Sequence, residues 1–218
     1  MSVEPFLVLA MCPEPRMDEL ALSLAAEFRD VDESAALDLL DRLGEEVAAE
    51  RAAHDGPRAG IEALREVLAS RHGFSGDRRR YDDPQNSMLD SVLERRRGLP
   101  ILLSVLYVAT AQRAGIRLSG VGLPGHYVVG DLSVDPPALI DPFSGGAPLV
   151  AHSRREVRTW NAHETALRIL NNLVASFARR ADLMRTIQAA ELRLALPLEP
   201  ARIEELRIEL GALRARLN

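Results

Sequence analysis

The chain has 218 residues, 47% hydrophobic and 27% charged, with a net charge of −5. That length suits one large domain or two small ones, and the balance supports a packed core and argues against disorder. The acidic balance also argues against a nucleic-acid surface. Every basic side chain is arginine, so there is no lysine amine for Schiff-base chemistry. Cys12 is the single cysteine, which excludes an internal disulfide and a multi-cysteine metal site; beside Pro13 it reads as a buried, inert thiol. Nothing reads as a signal peptide, and no apolar run approaches the roughly 18 residues of a membrane span. A cytoplasmic protein without membrane or nucleic-acid partners is expected.

Residues 1–85 read as a helical region. Met17, Leu20, Leu24 and Phe28 recur at helical spacing. Asp32 or Ser34 can start a second helix striped by Leu37, Leu40, Leu43 and Val47. Pro57 sits near the start of a third, with Ile61, Leu64, Val67 and Leu68 apolar, and Gly73 and Gly76 close the region. Residues 77–86 form a polar connection in which Arg78, Arg79 and Arg80 read as a solvated loop rather than an anion site. Ser87 with Asp90 resembles a capping box; Leu89, Val92 and Leu93 follow, and Gly98 ends that helix. Pro100 suits the first turn of the next helix, where its missing N–H costs nothing. Ile101 to Val108 leave almost no polar face, and a helix apolar all round is a buried one. Gly115 stops it. Residues 117–143 are β-like, 144–150 a turn, and from about 153 the chain is helical again. Leu167, Leu170, Leu173, Val174 and Phe177 form one stripe, Leu183, Ile187, Ala190, Leu194 and Leu196 a second, and Ile203, Leu206, Leu210 and Leu213 a third.

The chemistry-bearing segment runs from Asn86 to Phe143. A thiol nucleophile is best placed at a helix N-terminus, where free backbone N–H groups and the dipole favour the thiolate. Its base is a His on a neighbouring element, oriented by a carboxylate on the next strand. Here a buried helix begins at Pro100, His126 follows Pro124-Gly125, and Asp141 stands on a later strand. The frame of an acyl-transfer site is present, and proline occupies the place of the nucleophile.

Gly98-Leu99-Pro100 through Gly115-Ile116, then Gly120 to His126, and Ile140-Asp141-Pro142-Phe143-Ser144-Gly145-Gly146, resemble the bacterial SirB-type transglutaminase-like family. Transglutaminase cores typically read Gly-x-Cys, a long helix, then a strand His and a strand Asp. The resemblance therefore implies that Pro100 stands at the cysteine, His126 at the base and Asp141 at its orienter. It implies an α+β fold: a transglutaminase-like (papain-like) core at 86–150, with a buried helix against a small antiparallel sheet. Helical regions at 1–85 and 151–218 flank it, the second similar in type to tetratricopeptide repeats. It also implies a pseudo-enzyme used as a regulatory module that binds a protein or peptide, with Pro100, Gly125 and Tyr127 as binding residues beside the remnant pair. The alternative is an active acyl transferase or amide hydrolase using Ser104 or a water activated by His126.

Each residue also has a plainer role. His126 can be a structural histidine bonded to Asp141, holding helix against sheet. Asp141 precedes Pro142, and Asx-Pro often only starts a turn. Ser104 lies a full turn past Pro100, about 6 Å along the axis, and a helical serine usually bonds back to its own i−4 carbonyl. Asp131, Asp135, His152 and His163 lack metal-ligand spacing. Gly120-x-Gly122-x-x-Gly125 runs into a strand rather than a helix, so it is no phosphate loop. No metal or cofactor is expected.

Overall fold

The computed structural model describes residues 3–56, 58–123, 125–150 and 157–217; Pro57, Pro124 and His152 lie outside them. Four helical segments open the chain: α1 (Phe6–Met11), α2 (Met17–Ala26), α3 (Glu33–Arg51) and α4 (Ala59–Leu64), the last continuing as a π-helical stretch over Arg65–Arg71. Asp32 caps α3 by accepting a hydrogen bond from the Ala35 amide at 2.9 Å, as its short carboxylate suits it to do. A two-residue strand, β1 (Ser75–Gly76), pairs in parallel with β2 (Arg97–Gly98), which follows α5 (Leu89–Arg95).

Next comes α6 (Pro100–Arg113), in which every residue from Ile101 to Ala111 is buried. It packs against α3 on one side and the sheet on the other, which is why its sequence carries no polar face. The antiparallel sheet is built from β3 (Ser119–Leu123), β4 (His126–Asp131), β5 (Ala138–Asp141), β6 (Ala147–Val150) and β7 (Arg158–Thr159). Among the described residues their order is β6-β5-β4-β3-β7. Alternation along the strands turns Tyr127, Val129, Ala138 and Ile140 to the main core, while Val121, Val128 and Leu139 form a small cluster on the other face. Three helices finish the chain: α7 (Ala162–Arg179), α8 (Leu183–Leu192) and α9 (Pro200–Arg214). One hydrophobic core joins Phe6 and Leu22 of the first helices, Leu102 and Leu106 of α6, and Leu170 and Leu173 of α7.

Several sequence expectations give way to local chemistry. Residues 144–150 are not all turn. Gly145 and Gly146, at φ 68° and 73°, reverse the chain, and strand resumes at Ala147. Pro148 is tolerated there because β6 is a sheet edge. The following helix starts at Ala162 rather than near 153, set by a full capping box: the Glu164 amide donates to Asn161 Oδ1 at 2.8 Å and the Asn161 amide to Glu164 Oε2 at 3.0 Å. The box expected at Ser87 and Asp90 does not form, because Ser87 ends a 3₁₀ turn (Pro84–Ser87) and Met88 stands at the cap. Gly98 does not end α5; Arg96 does, in the left-handed region at φ 56°, and Gly98 passes into β2. Finally, Cys12 is exposed, not buried. Phe6, Leu9 and Ala10 turn to the core, so the other side of this short helix, with Leu7, Val8 and Met11, faces outward and Cys12 follows it.

Candidate functional site

The start of α6 is fixed from outside the helix. Leu99, the extended cap residue, donates its amide to the Asn86 carbonyl at 3.0 Å, and Asp77 donates its amide to the Gly98 carbonyl at 3.2 Å. Those two anchors are themselves tied together. Arg95 Nη2 donates to Asp77 Oδ2 at 3.0 Å and to Asn86 Oδ1 at 3.2 Å, and Asn86 Nδ2 donates to the Arg80 carbonyl at 2.6 Å. Burial alone would raise the Asp77 carboxyl; hydrogen bonds from the Arg80 amide and Asn86, with the Arg95 charge, hold it below the usual carboxylate range. Pro100 then takes the first helical position. The first-turn amides of Ile101 and Leu102 lie beyond the reach of any helix acceptor.

His126 opens β4 directly after Gly125, whose φ of 72° makes the reversal from β3. Its Nε2 lies 3.0 Å from Asp141 Oδ2, with the imidazole 31% and the carboxylate 10% exposed. Asp141 ends β5, and its Oδ1 accepts the Phe143 amide at 2.9 Å while its carbonyl accepts the Gly146 amide at 2.8 Å. The carboxylate therefore caps the turn that follows and orients the ring at once. A carboxylate oxygen facing Nε2 acts as acceptor, so this contact favours the tautomer with its proton on Nε2.

His126, Pro100, Gly125 and Tyr127 line one cavity of about 30 Å³ together with Tyr81, Arg168 and Asn172. That volume is far below the roughly 300–1,000 Å³ of small-molecule sites. Tyr127 contributes its ring wall, not its hydroxyl. The phenol bonds Thr165 Oγ1 at 2.9 Å, the ring stands edge-on to Trp160 at 5.4 Å, and burial pushes the hydroxyl up to about 12. Gly120 is required beneath it, since a Cβ there would lie 2.1 Å from the Tyr127 hydroxyl. This close approach, and that of Trp160 on Gly122, account for the glycine spacing of β3.

Ser104 is not part of this wall. It is wholly buried, and its Oγ has no hydrogen-bond partner among the described residues, the expected bond back to the helix included. Cys12 lies on the exposed end of α1. Among the described residues no group of three or more His, Cys, Asp and Glu side chains could hold a metal ion. The sequence did not flag Tyr81, Arg168 and Asn172. Arg168 and Asn172 stand four apart on α7, a spacing that shows a shared helix face but not which part of the chain that face meets.

The model of the transglutaminase-like superfamily matches residues 34–188, from α3 into α8, and the chain belongs to that superfamily. Among curated proteins, a UPF0162 protein of Xylella fastidiosa is 47% identical over 95 residues, 43% of this chain and 34% of that protein. The matched segment thus spans about a third of that relative's length. A UPF0162 protein of Pseudomonas aeruginosa is 29% identical over 215 residues, 92% of this chain and 74% of the relative. Human F-box only protein 21 is 35% identical over 69 residues, 32% of this chain and 11% of that protein. No solved structure matches the chain. No helix among the described residues is long and apolar enough to cross a membrane.

Proposed function

We propose that this chain is a transglutaminase-like domain of the SirB type that has lost its covalent step and serves in the cytoplasm as a protein- or peptide-binding, regulatory module. One observation carries the reading: His126, whose ring is held by Asp141 at 3.0 Å, lines the same cavity as Pro100 at the first position of α6. The proline nitrogen is a tertiary amide with no proton, and its ring carbons cannot attack a carbonyl, so no acyl-enzyme forms at that position. The remnant pair can still present an oriented imidazole, whose second nitrogen accepts, to a backbone or side-chain N–H. A cavity of about 30 Å³ suits an extended segment lying across its mouth better than an enclosed small molecule. Acyl transfer through Ser104 draws no support from a hydroxyl buried one turn inside the helix.

The test is selection of a displayed peptide library on the wild-type chain, followed by measurement of the enriched peptides against His126→Ala. The expected result is peptides that bind without being cleaved or modified and that lose about tenfold in affinity in the variant. Enrichment of no sequence, or of sequences indifferent to His126, would contradict the reading.

A further inference from the structure

Two arginine triplets, Arg78-Arg79-Arg80 and Arg95-Arg96-Arg97, are separate in sequence. The parallel pairing of β1 with β2, Ser75 beside Arg97 and Gly76 beside Gly98, brings them together. Arg95 turns inward to Asp77 and Asn86; the other five are exposed. Arg80 has two loose carboxylate neighbours, Asp77 at 3.9 Å and Asp83 at 3.7 Å. Arg78 donates to Ser144 Oγ at 3.3 Å and lies over the Phe143 ring, 5.1 Å from its centroid. Arg97 Nη1 donates to the carbonyls of Gly73 at 2.7 Å and Arg96 at 2.8 Å. The guanidinium groups of Arg79 and Arg96 have no hydrogen-bond or ion-pair partner among the described residues.

Acidic side chains outnumber basic ones in this chain, 32 to 27, yet Arg78, Arg79, Arg96 and Arg97 have no carboxylate partner among the described residues. Like charges so close repel one another, and an isolated domain gains nothing from holding them there. Two of them are also pre-positioned, Arg78 by an aromatic face and Arg97 by backbone carbonyls, which reduces the entropy lost when a ligand binds. Arg78, Arg79, Arg80 and Arg97, with Ser75, Gly76 and the inward-paired Asp77, line an open hollow of about 660 Å³, and Arg96, outside that lining, is the exposed neighbour of Arg97. Guanidinium forks match carboxylates two bonds at a time.

We propose that this surface docks a carboxylate-rich, extended segment of a partner protein. A long nucleic-acid backbone fits less well, because Asp82, Asp83 and Glu94 border the arginines and the chain as a whole carries −5. The surface also adjoins the His126 cleft. Phe143 carries Arg78 on its face and stands edge-on to Tyr81 at 5.9 Å, and Tyr81 lines the cavity with His126. Docking at the arginines nonetheless holds whether or not that cleft binds anything.

The experiment uses the full chain and a fluorescein-labelled peptide of alternating Glu and Ser, with binding read by fluorescence anisotropy. Arg79→Gln combined with Arg96→Gln removes two partnerless charges and should leave the fold unchanged by circular dichroism. Binding should weaken about tenfold in that variant and fade in about 0.5 M salt. A matched pair on α9, Arg202→Gln with Arg207→Gln, and the cleft variant His126→Ala should each stay within about twofold of wild type. Arg79→Glu alone should weaken binding further than Arg79→Gln alone. Absence of peptide binding at low salt, an equal loss in the α9 variant, or tighter binding of single-stranded DNA of equal charge would overturn the proposal.

Discussion

Replacing Pro100 with cysteine, in a Cys12→Ala background, puts a thiol where the proposed reading places the lost nucleophile. The background change is necessary because Cys12 is exposed and would dominate any alkylation signal. At the first position of α6 the new thiol meets the free amides of the first turn and shares a cavity with His126, whose ring Asp141 holds at 3.0 Å. Both neighbours favour the thiolate, and sites of this kind lower a cysteine from about 8.5 into a range of about 3.5–7.5. A fall of about two units changes the ionised fraction at pH 6.5 from about 1% to about half, roughly a 50-fold gain. The less basic thiolate is also a weaker nucleophile, by about tenfold over two units at a Brønsted slope near 0.4–0.5. The net expectation is iodoacetamide labelling about fivefold faster than a free-cysteine standard at pH 6.5, with the pH–rate profile shifted to lower pH. Adding His126→Ala should return the profile most of the way toward the standard. An ordinary profile, unmoved by His126→Ala, would refute the placement of Pro100 in a preserved acyl-transfer frame.

Other perturbations test the packing that holds this frame. Leu103 and Leu106 are fully buried, so truncating either to alanine should cost about 2–5 kcal/mol in urea unfolding; a change under about 0.5 kcal/mol would mean α6 is not the centre of the core. The Tyr107 hydroxyl is buried without a partner among the described residues, and burial holds it above the ordinary tyrosine range. Tyr107→Phe should therefore leave the melting temperature unchanged or raise it, and a clear fall would contradict the assignment. Asp18 is fully buried and takes Arg113 Nη1 at 2.6 Å and Arg16 Nη2 at 3.0 Å. Burial raises its carboxyl, but the Arg16 hydrogen bond and the Arg113 charge outweigh that and hold it below the usual aspartate range. Its contribution to stability is then complete above about pH 4 and is lost as the pH falls through the depressed folded value. Arg113→Ala should destabilise by about 3–5 kcal/mol near neutrality, with the gap to wild type narrowing below about pH 4; a gap that widens in acid would reverse the sign of this argument.

The sequence showed α6 most clearly, because a run of apolar residues from Ile101 to Val108 without a polar face has one stable location, inside. The stripes of α3, α7 and α8 were legible for the same reason. Strand ends were harder to read. The segment after Phe143 looked like continuous turn because Gly145, Gly146 and Pro148 are all turn formers, yet Gly145 and Gly146 make the reversal and Pro148 only marks an edge strand. Cys12 reads as buried from sequence yet is exposed, because a six-residue helix carries too little periodicity to show which side faces in. His126 and Asp141 could be named from spacing and order, whereas Tyr81, Arg168 and Asn172 reach the cavity only because the fold brings α7 and the loop before α5 to the same point. The arginine surface was hidden for a related reason: each triplet alone reads as a solvated run, and only the β1–β2 pairing joins them.

The most direct test of the central claim, that the frame persists without its covalent chemistry, is mass spectrometry of a glutamine-containing peptide pool incubated with the chain and an excess primary amine. No deamidated, cleaved or amine-coupled peptide is expected above the buffer control, from the wild-type chain or from Ser104→Ala. Product that accumulates catalytically with the wild-type chain and disappears in His126→Ala would contradict the claim and establish an active acyl transferase or amide hydrolase.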